Sequence, residues 1–282
     1  MTGLVPDEVD STAWLRQGPS LGRARTALLL SLAVLTGGAW ALTLCRPRWI
    51  DLPMGAAMPA AGDGTGGMAQ AGWPLAGGAA FLAVWTVMMA AMMLPASAPM
   101  ILMFASAQAR RPRGAAVSTW LFVAGYILVW AAAGLPAYAF QALAGKASDL
   151  ASAGQRGWVA LAWGAVLAAA GLYQFSPLKR ACLRQCRSPL AFIARHWREG
   201  PAGALAMGLR HGAYCLGCCW ALFAVLVAAG MMSLAWMLLL ALVVFIEKAV
   251  PQGRRFASIL GFVLTALGLL AAGHAAAGLL TW

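Results

Sequence analysis

Apolar runs of about 20 residues recur along this chain, and few folds accept them. They lie at roughly 26–45, 76–107, 115–143, 157–175, 203–230, 233–250 and 256–280. About 20 apolar residues in a helix cross a bilayer core. In lipid such a run must satisfy its own backbone, which an α-helix does. The expected fold is therefore all-α, a polytopic transmembrane helical bundle of about seven spans, with six possible. The second and fifth runs are long enough to tilt, kink or extend beyond the bilayer. Gly230-Met231-Met232-Ser233 is a tight link and predicts an antiparallel hairpin of spans five and six.

Composition excludes the main alternative. Hydrophobic residues make up 62% of the 282 residues and charged residues 10%, against about 25% charged in soluble domains. The net charge of +12 does not indicate a nucleic-acid partner, because the basic residues sit in short clusters between apolar runs. Basic loops beside a membrane explain them.

Those clusters set an orientation. With the N-terminus inside, the inner segments hold sixteen Lys and Arg: three in the tail, Arg110, Arg111 and Arg113, seven between Lys179 and Arg210, then Lys248, Arg254 and Arg255. The outer segments hold four: Arg46, Arg48, Lys146 and Arg156. Positive residues favour the cytoplasmic side, so the N-terminus is expected inside. Residues 1–25 read as a polar cytoplasmic tail with Trp14 resting on the membrane surface, and 26–282 as the transmembrane domain. Within it, 46–75 is an outer loop rich in Gly, Ala, Pro and Met, and 176–202 is a basic inner loop. The first run is too long, and begins too far into the chain, for a usual cleaved signal peptide.

Soft side chains gather in three places. In span two, Met88, Met89, Met92 and Met93 lie three and four residues apart, so their thioethers form one patch on a helix just before Pro95, which can kink it. In span five, Cys215, Cys218 and Cys219 share a helical face. In the inner loop, Ser176 and Pro177 read as N-cap and first helical residue, and Pro189 closes the segment. Cys182 and Cys186 are four apart within it, and flanking Arg and Lys would favour their thiolates. Each cluster also has a plain reading: Met fills irregular apolar gaps, Cys packs as a small hydrophobe, and a basic helix can lie on anionic lipid.

Three runs together carry a resemblance: Trp85 to Pro95, Tyr173 to Lys179 with Cys182 and Cys186, and Gly212 to Trp220. They resemble a bacterial family of unknown function described as predicted metal-binding integral membrane proteins, over roughly residues 75 to 275. The resemblance implies a helical membrane protein, a bacterial inner-membrane location, and metal ligation by Met88, Met89, Met92, Met93, Cys182, Cys186, Cys215, Cys218 and Cys219. It implies no reaction.

Thiolates and thioethers select Cu(I), and thiolates also suit zinc, so Cu(I) is the expected ion and zinc the second choice. His211 lies one turn before Cys215. His196 is in the inner loop and His274 near the end of span seven. Glu247 adjoins Lys248 near the inner face, where a solvated pair is expected. In the outer loop, Met54, Met58 and Met68 can collect Cu(I) or be incidental. If span five begins near 203, the Met and Cys clusters reach similar depth; if it begins at Arg210-His211, they are offset by several turns.

Three functions remain open. One is copper handling, as a transporter or a membrane chaperone with a metal-donor or acceptor protein as partner. The second is a thiol–disulfide electron carrier, since Cys215-Leu216-Gly217-Cys218 has the C-x-x-C form. The third is a structural or assembly subunit. With no Ser/His/Asp array, P-loop or paired carboxylates in the spans, the chain is not expected to be an enzyme.

Overall fold

The structure is a computed structural model and describes residues 19–45, 74–108, 114–150, 156–229 and 234–280. All nine elements among them are helices: α1 (Pro19–Cys45), α2 (Pro74–Gln108), α3 (Ala115–Leu150), α4 (Arg156–Tyr173), α5 (Pro177–Arg187), α6 (Pro189–His196), α7 (Gly200–Ala229), α8 (Leu234–Ala249) and α9 (Gly253–Leu280). Trp14 and the rest of the tail to residue 18, the outer-loop residues 46–73 with Met54, Met58 and Met68, and the 230–233 link lie outside the described residues.

Among the described residues, five helices are long and apolar enough to cross a membrane: α1, α2, α3, α7 and α9. They coincide with five of the seven apolar runs, although α1 begins seven residues ahead of its run and α7 three. The fourth run is α4, which meets α5 at a bend of 61°. The sixth is α8, whose 16 residues span about 24 Å. The outward faces carry exposed Leu30, Val34, Phe140, Trp158, Phe262 and Leu270. Apolar surface on this scale fits a multi-pass membrane protein.

Small residues decide the closest pairings. α3 packs on α7 and α4 on α9. A Cβ on Gly208 would strike the backbone of Phe122, and one on Gly164 would stand 2.6 Å from the backbone of Ala272. Glycine at these points lets the helix backbones touch. α1 packs on α2, and the contact has a chemical reason. Pro95 lacks an N–H, which frees the carbonyl of Ala91 one turn earlier. Trp40 Nε1 of α1 donates to that oxygen at 3.1 Å. The helix continues through both Pro95 and Pro99.

The main apolar core draws on α2, α3, α7 and α8. The basic inner-loop segment holds the helix expected after Ser176, α5, and a second helix, α6, which pack on α7 and α2 respectively. α5 starts as its sequence implies, with Ser176 Oγ accepting from Lys179 N at 3.1 Å and Pro177 next in line.

Candidate metal centre

α5 and α7 bring cysteines from two parts of the chain together. Cys186 Sγ of α5 lies 4.0 Å from Cys218 Sγ of α7, and Cys218 Sγ lies 3.2 Å from Cys219 Sγ. The thiols of Cys218 and Cys219 both donate to the Cys215 carbonyl, at 3.0 and 2.9 Å. Such back-bonding to the preceding turn holds them on one side of α7. Cys182 faces the same helix one turn earlier in α5. Its Sγ sits over Gly217, where an added Cβ would come within 2.8 Å. All five are free thiols.

Two residues complete the surroundings of Cys215. Tyr126 of α3 places its hydroxyl 3.0 Å from Cys215 Sγ, and the same hydroxyl donates to the Met93 carbonyl at 3.4 Å. Lys248 Nζ of α8 donates to Cys215 Sγ at 2.9 Å. Tyr126 and Lys248 carry no sequence signal that marks them as site residues.

Met88, Met89, Met92 and Met93 are buried in the same core as Cys215, Cys218 and Cys219. The Met and Cys segments share this core, and the Tyr126 hydroxyl stands between the Met93 carbonyl and Cys215 Sγ.

Adjacent Glu247 and Lys248 do not form the solvated pair expected of them. Glu247 is buried, and its partner is Lys179 of α5, with Nζ to Oε2 at 2.7 Å and the two side chains 1% and 2% exposed. Arg187, at the other end of α5, donates to the carbonyls of Glu247 at 2.6 Å and Pro251 at 2.8 Å. Neighbouring residues on a helix do not face each other, so each charge finds a partner on a different helix. Together these contacts clamp α5, and with it Cys182 and Cys186, across α7 and α8.

The expectation for Cys182 also changes. Arg180 and Arg184 are exposed while Cys182 is buried. Burial pushes its thiol above the ordinary range, because desolvation disfavours the thiolate. The flanking cations do not offset this from the far side of the helix.

The donor chemistry suits a soft ion. Thiolates at a metal–sulfur distance near 2.3 Å around one tetrahedral metal stand about 3.8 Å apart. The Cys186–Cys218 separation of 4.0 Å is close to that, and the Cys218–Cys219 separation of 3.2 Å is shorter. Among the described residues, no three His, Cys, Asp or Glu already converge as a formed cage. The Cys218 and Cys219 thiols are instead turned to the Cys215 carbonyl.

Fold and centre together define a bundle of long apolar helices enclosing neighbouring free cysteines beside a lysine ammonium. A family model described as PpoB2, copper chaperone, matches residues 82–271, and the chain belongs to that family. The match takes in all nine residues expected as ligands. It answers the expectation of a metal-binding family with a copper one, and its description names neither a membrane nor a reaction. No curated protein and no solved structure matches.

Proposed function

We propose that this protein is a membrane-embedded, non-enzymatic copper chaperone that holds Cu(I) among Cys186, Cys215, Cys218 and Cys219. In this reading Cys182 stands at the edge of the site, and Met88, Met89, Met92 and Met93 form its thioether wall. Seven spans, a cytoplasmic N-terminus and a bacterial inner-membrane location complete the proposal. The single observation that carries it is the approach of Cys186, from α5, to the cysteines of α7 inside a chain of a copper family.

Charge favours a monovalent ion where two of these four cysteines bind as thiolates and the other two stay thiols. Cu(I) with two thiolates carries one negative charge, and the Lys248 ammonium beside Cys215 brings the total to zero. Zn(II) with the same groups would leave one positive charge in an apolar interior, which is costly. Among the described residues no carboxylate lies among these sulfurs, so hard cations have nothing to prefer there. Delivery to an acceptor protein, or passage across the membrane, would follow from exchange of these thiolates with another thiol set.

The test is metal content by mass spectrometry on detergent-purified protein. It is loaded under reducing conditions with Cu(I) and, separately, with Zn(II). Stoichiometric copper that is lost in the Cys215→Ser, Cys218→Ser, Cys219→Ser variant supports the proposal. Equal copper in both proteins removes these cysteines from the role. A second reading, thiol–disulfide exchange, is favoured by the short Cys218–Cys219 approach, and redox-dependent trapping of these thiols would support it instead.

A further inference from the structure

Along α7, Met207, His211, Cys215 and Cys219 recur every four residues and are all buried, at 2% exposure or less. Residues at this spacing form one ridge of a helix. Each step rises about 6 Å, so the ridge covers about 18 Å from thioether to thiol. All four side chains are ligand types that accept Cu(I).

The two members before the cysteines have no role in the centre described above. His211 is boxed by aromatic rings, with centroids 5.9 Å from Phe122, 5.4 Å from Tyr126 and 5.5 Å from Phe192. Its Nδ1 is buried and has no hydrogen-bond partner. A position needed only for stacking is better filled by phenylalanine, because an unpaired buried nitrogen costs about 1–3 kcal/mol. Met207 sits one turn further out. It lines a cavity of about 130 Å³ together with His196, Arg198, Ala206 and Arg210. The Arg198 N–H donates to its sulfur at 3.4 Å, so the thioether is held at the cavity wall.

We infer that Met207 and His211 are the transfer route of the centre: copper passes between Cys215 and a mouth at the His196–Arg198–Arg210 cavity through the His211 imidazole and the Met207 thioether. The inference rests on the copper-binding reading above and adds the path. No electrons move. The copper–sulfur bond to Cys215 is replaced by a bond to His211 nitrogen, that bond by one to Met207 sulfur, and the last by a bond to a thiolate of the acceptor. The Cys215 sulfur left behind remains paired with Lys248 Nζ. Histidine and methionine are neutral donors, so the ion is held less tightly on the route than among the thiolates. Arg198 and Arg210 at the mouth repel a free cation and attract an acceptor whose own thiolates are negative.

The test uses the full chain in detergent, loaded with Cu(I) and mixed with the anionic Cu(I) chelator bicinchoninate. Copper content is read by mass spectrometry and transfer by stopped-flow absorbance. Met207→Leu keeps the volume of the side chain, and His211→Phe keeps the ring stack. The expected result for each is copper content equal to wild type with transfer slowed about tenfold or more, as for a barrier raised by loss of one ligand. Transfer within about twofold of wild type in Met207→Leu, at full copper content, would overturn the route and leave the centre standing. Loss of bound copper in His211→Phe would also overturn it, by making His211 a resident ligand. A wild-type protein that holds no copper would overturn the centre itself, and the route with it.

Discussion

Replacing Glu247 by leucine should release α5 from the bundle. The Lys179–Glu247 pair is 2.7 Å long with both side chains almost fully buried. At an effective dielectric of 20 its Coulomb attraction is about 6 kcal/mol. Most of that offsets the cost of taking both ions out of water, so the pair adds little relative to two apolar residues. Removing one partner is different, because the Lys179 ammonium is left buried with no counter-charge, at about 3–5 kcal/mol. At 1.36 kcal/mol per tenfold change, opening of α5 becomes about 150 to 5,000 times more frequent. Arg187 still grips the Glu247 and Pro251 carbonyls, which places the outcome toward the lower figure. The assay is alkylation of Cys182 and Cys186 in reduced, copper-free protein, quantified by peptide mass spectrometry against time. Glu247→Leu should speed both sites together, and Lys179→Met/Glu247→Leu should return most of the protection. Alkylation at the wild-type rate in Glu247→Leu, or equal exposure in the single and double variants, would refute the reasoning. Cys186 reaches Cys218 only from α5 in place, so Glu247→Leu should also lower copper content.

Two further perturbations test packing that positions the centre. Gly217→Ala sets a Cβ 2.8 Å from Cys182 Sγ, and overpacking of this kind costs about 1–3 kcal/mol; thermal unfolding in detergent should show the loss, and Gly217→Ala/Cys182→Ala should recover it. Trp40→Phe removes the donor that satisfies the Ala91 carbonyl, a loss of about 1–3 kcal/mol. In a Pro95→Ala background the restored N–H satisfies that carbonyl, so the same Trp40→Phe change should have almost no effect on the unfolding temperature.

The helices and the centre differ in how far they can be read from the chain. Helix existence is local: run length predicts α1, α2, α3, α7 and α9, and Ser176-Pro177 marks the start of α5 within one residue. The clustering of Cys215, Cys218 and Cys219 is local too, since three and four residues is a helical repeat. The depth at which α5 lies is not local. Its basic residues read as a short helix able to lie on anionic lipid, whereas Lys179 is buried and only Arg180, Arg184 and their neighbours face outward. Tyr126 is one aromatic residue among many in an apolar run, and nothing near it marks the contact with Cys215.

Glu247 and Lys248 show what a stricter reading yields. Successive side chains on a helix diverge by about 100°, so this pair cannot satisfy itself near an apolar core, and two outside partners are required. The fold supplies Lys179 for one and Cys215 for the other. The consequence reaches the centre. Glu247 holds the helix that carries Cys186, and Lys248 holds the sulfur of Cys215. One peptide unit of α8 thus ties together the two helices that bring the cysteines close. α8 contributes no sulfur to the centre, yet its last turn holds both the helix that carries Cys186 and the sulfur of Cys215.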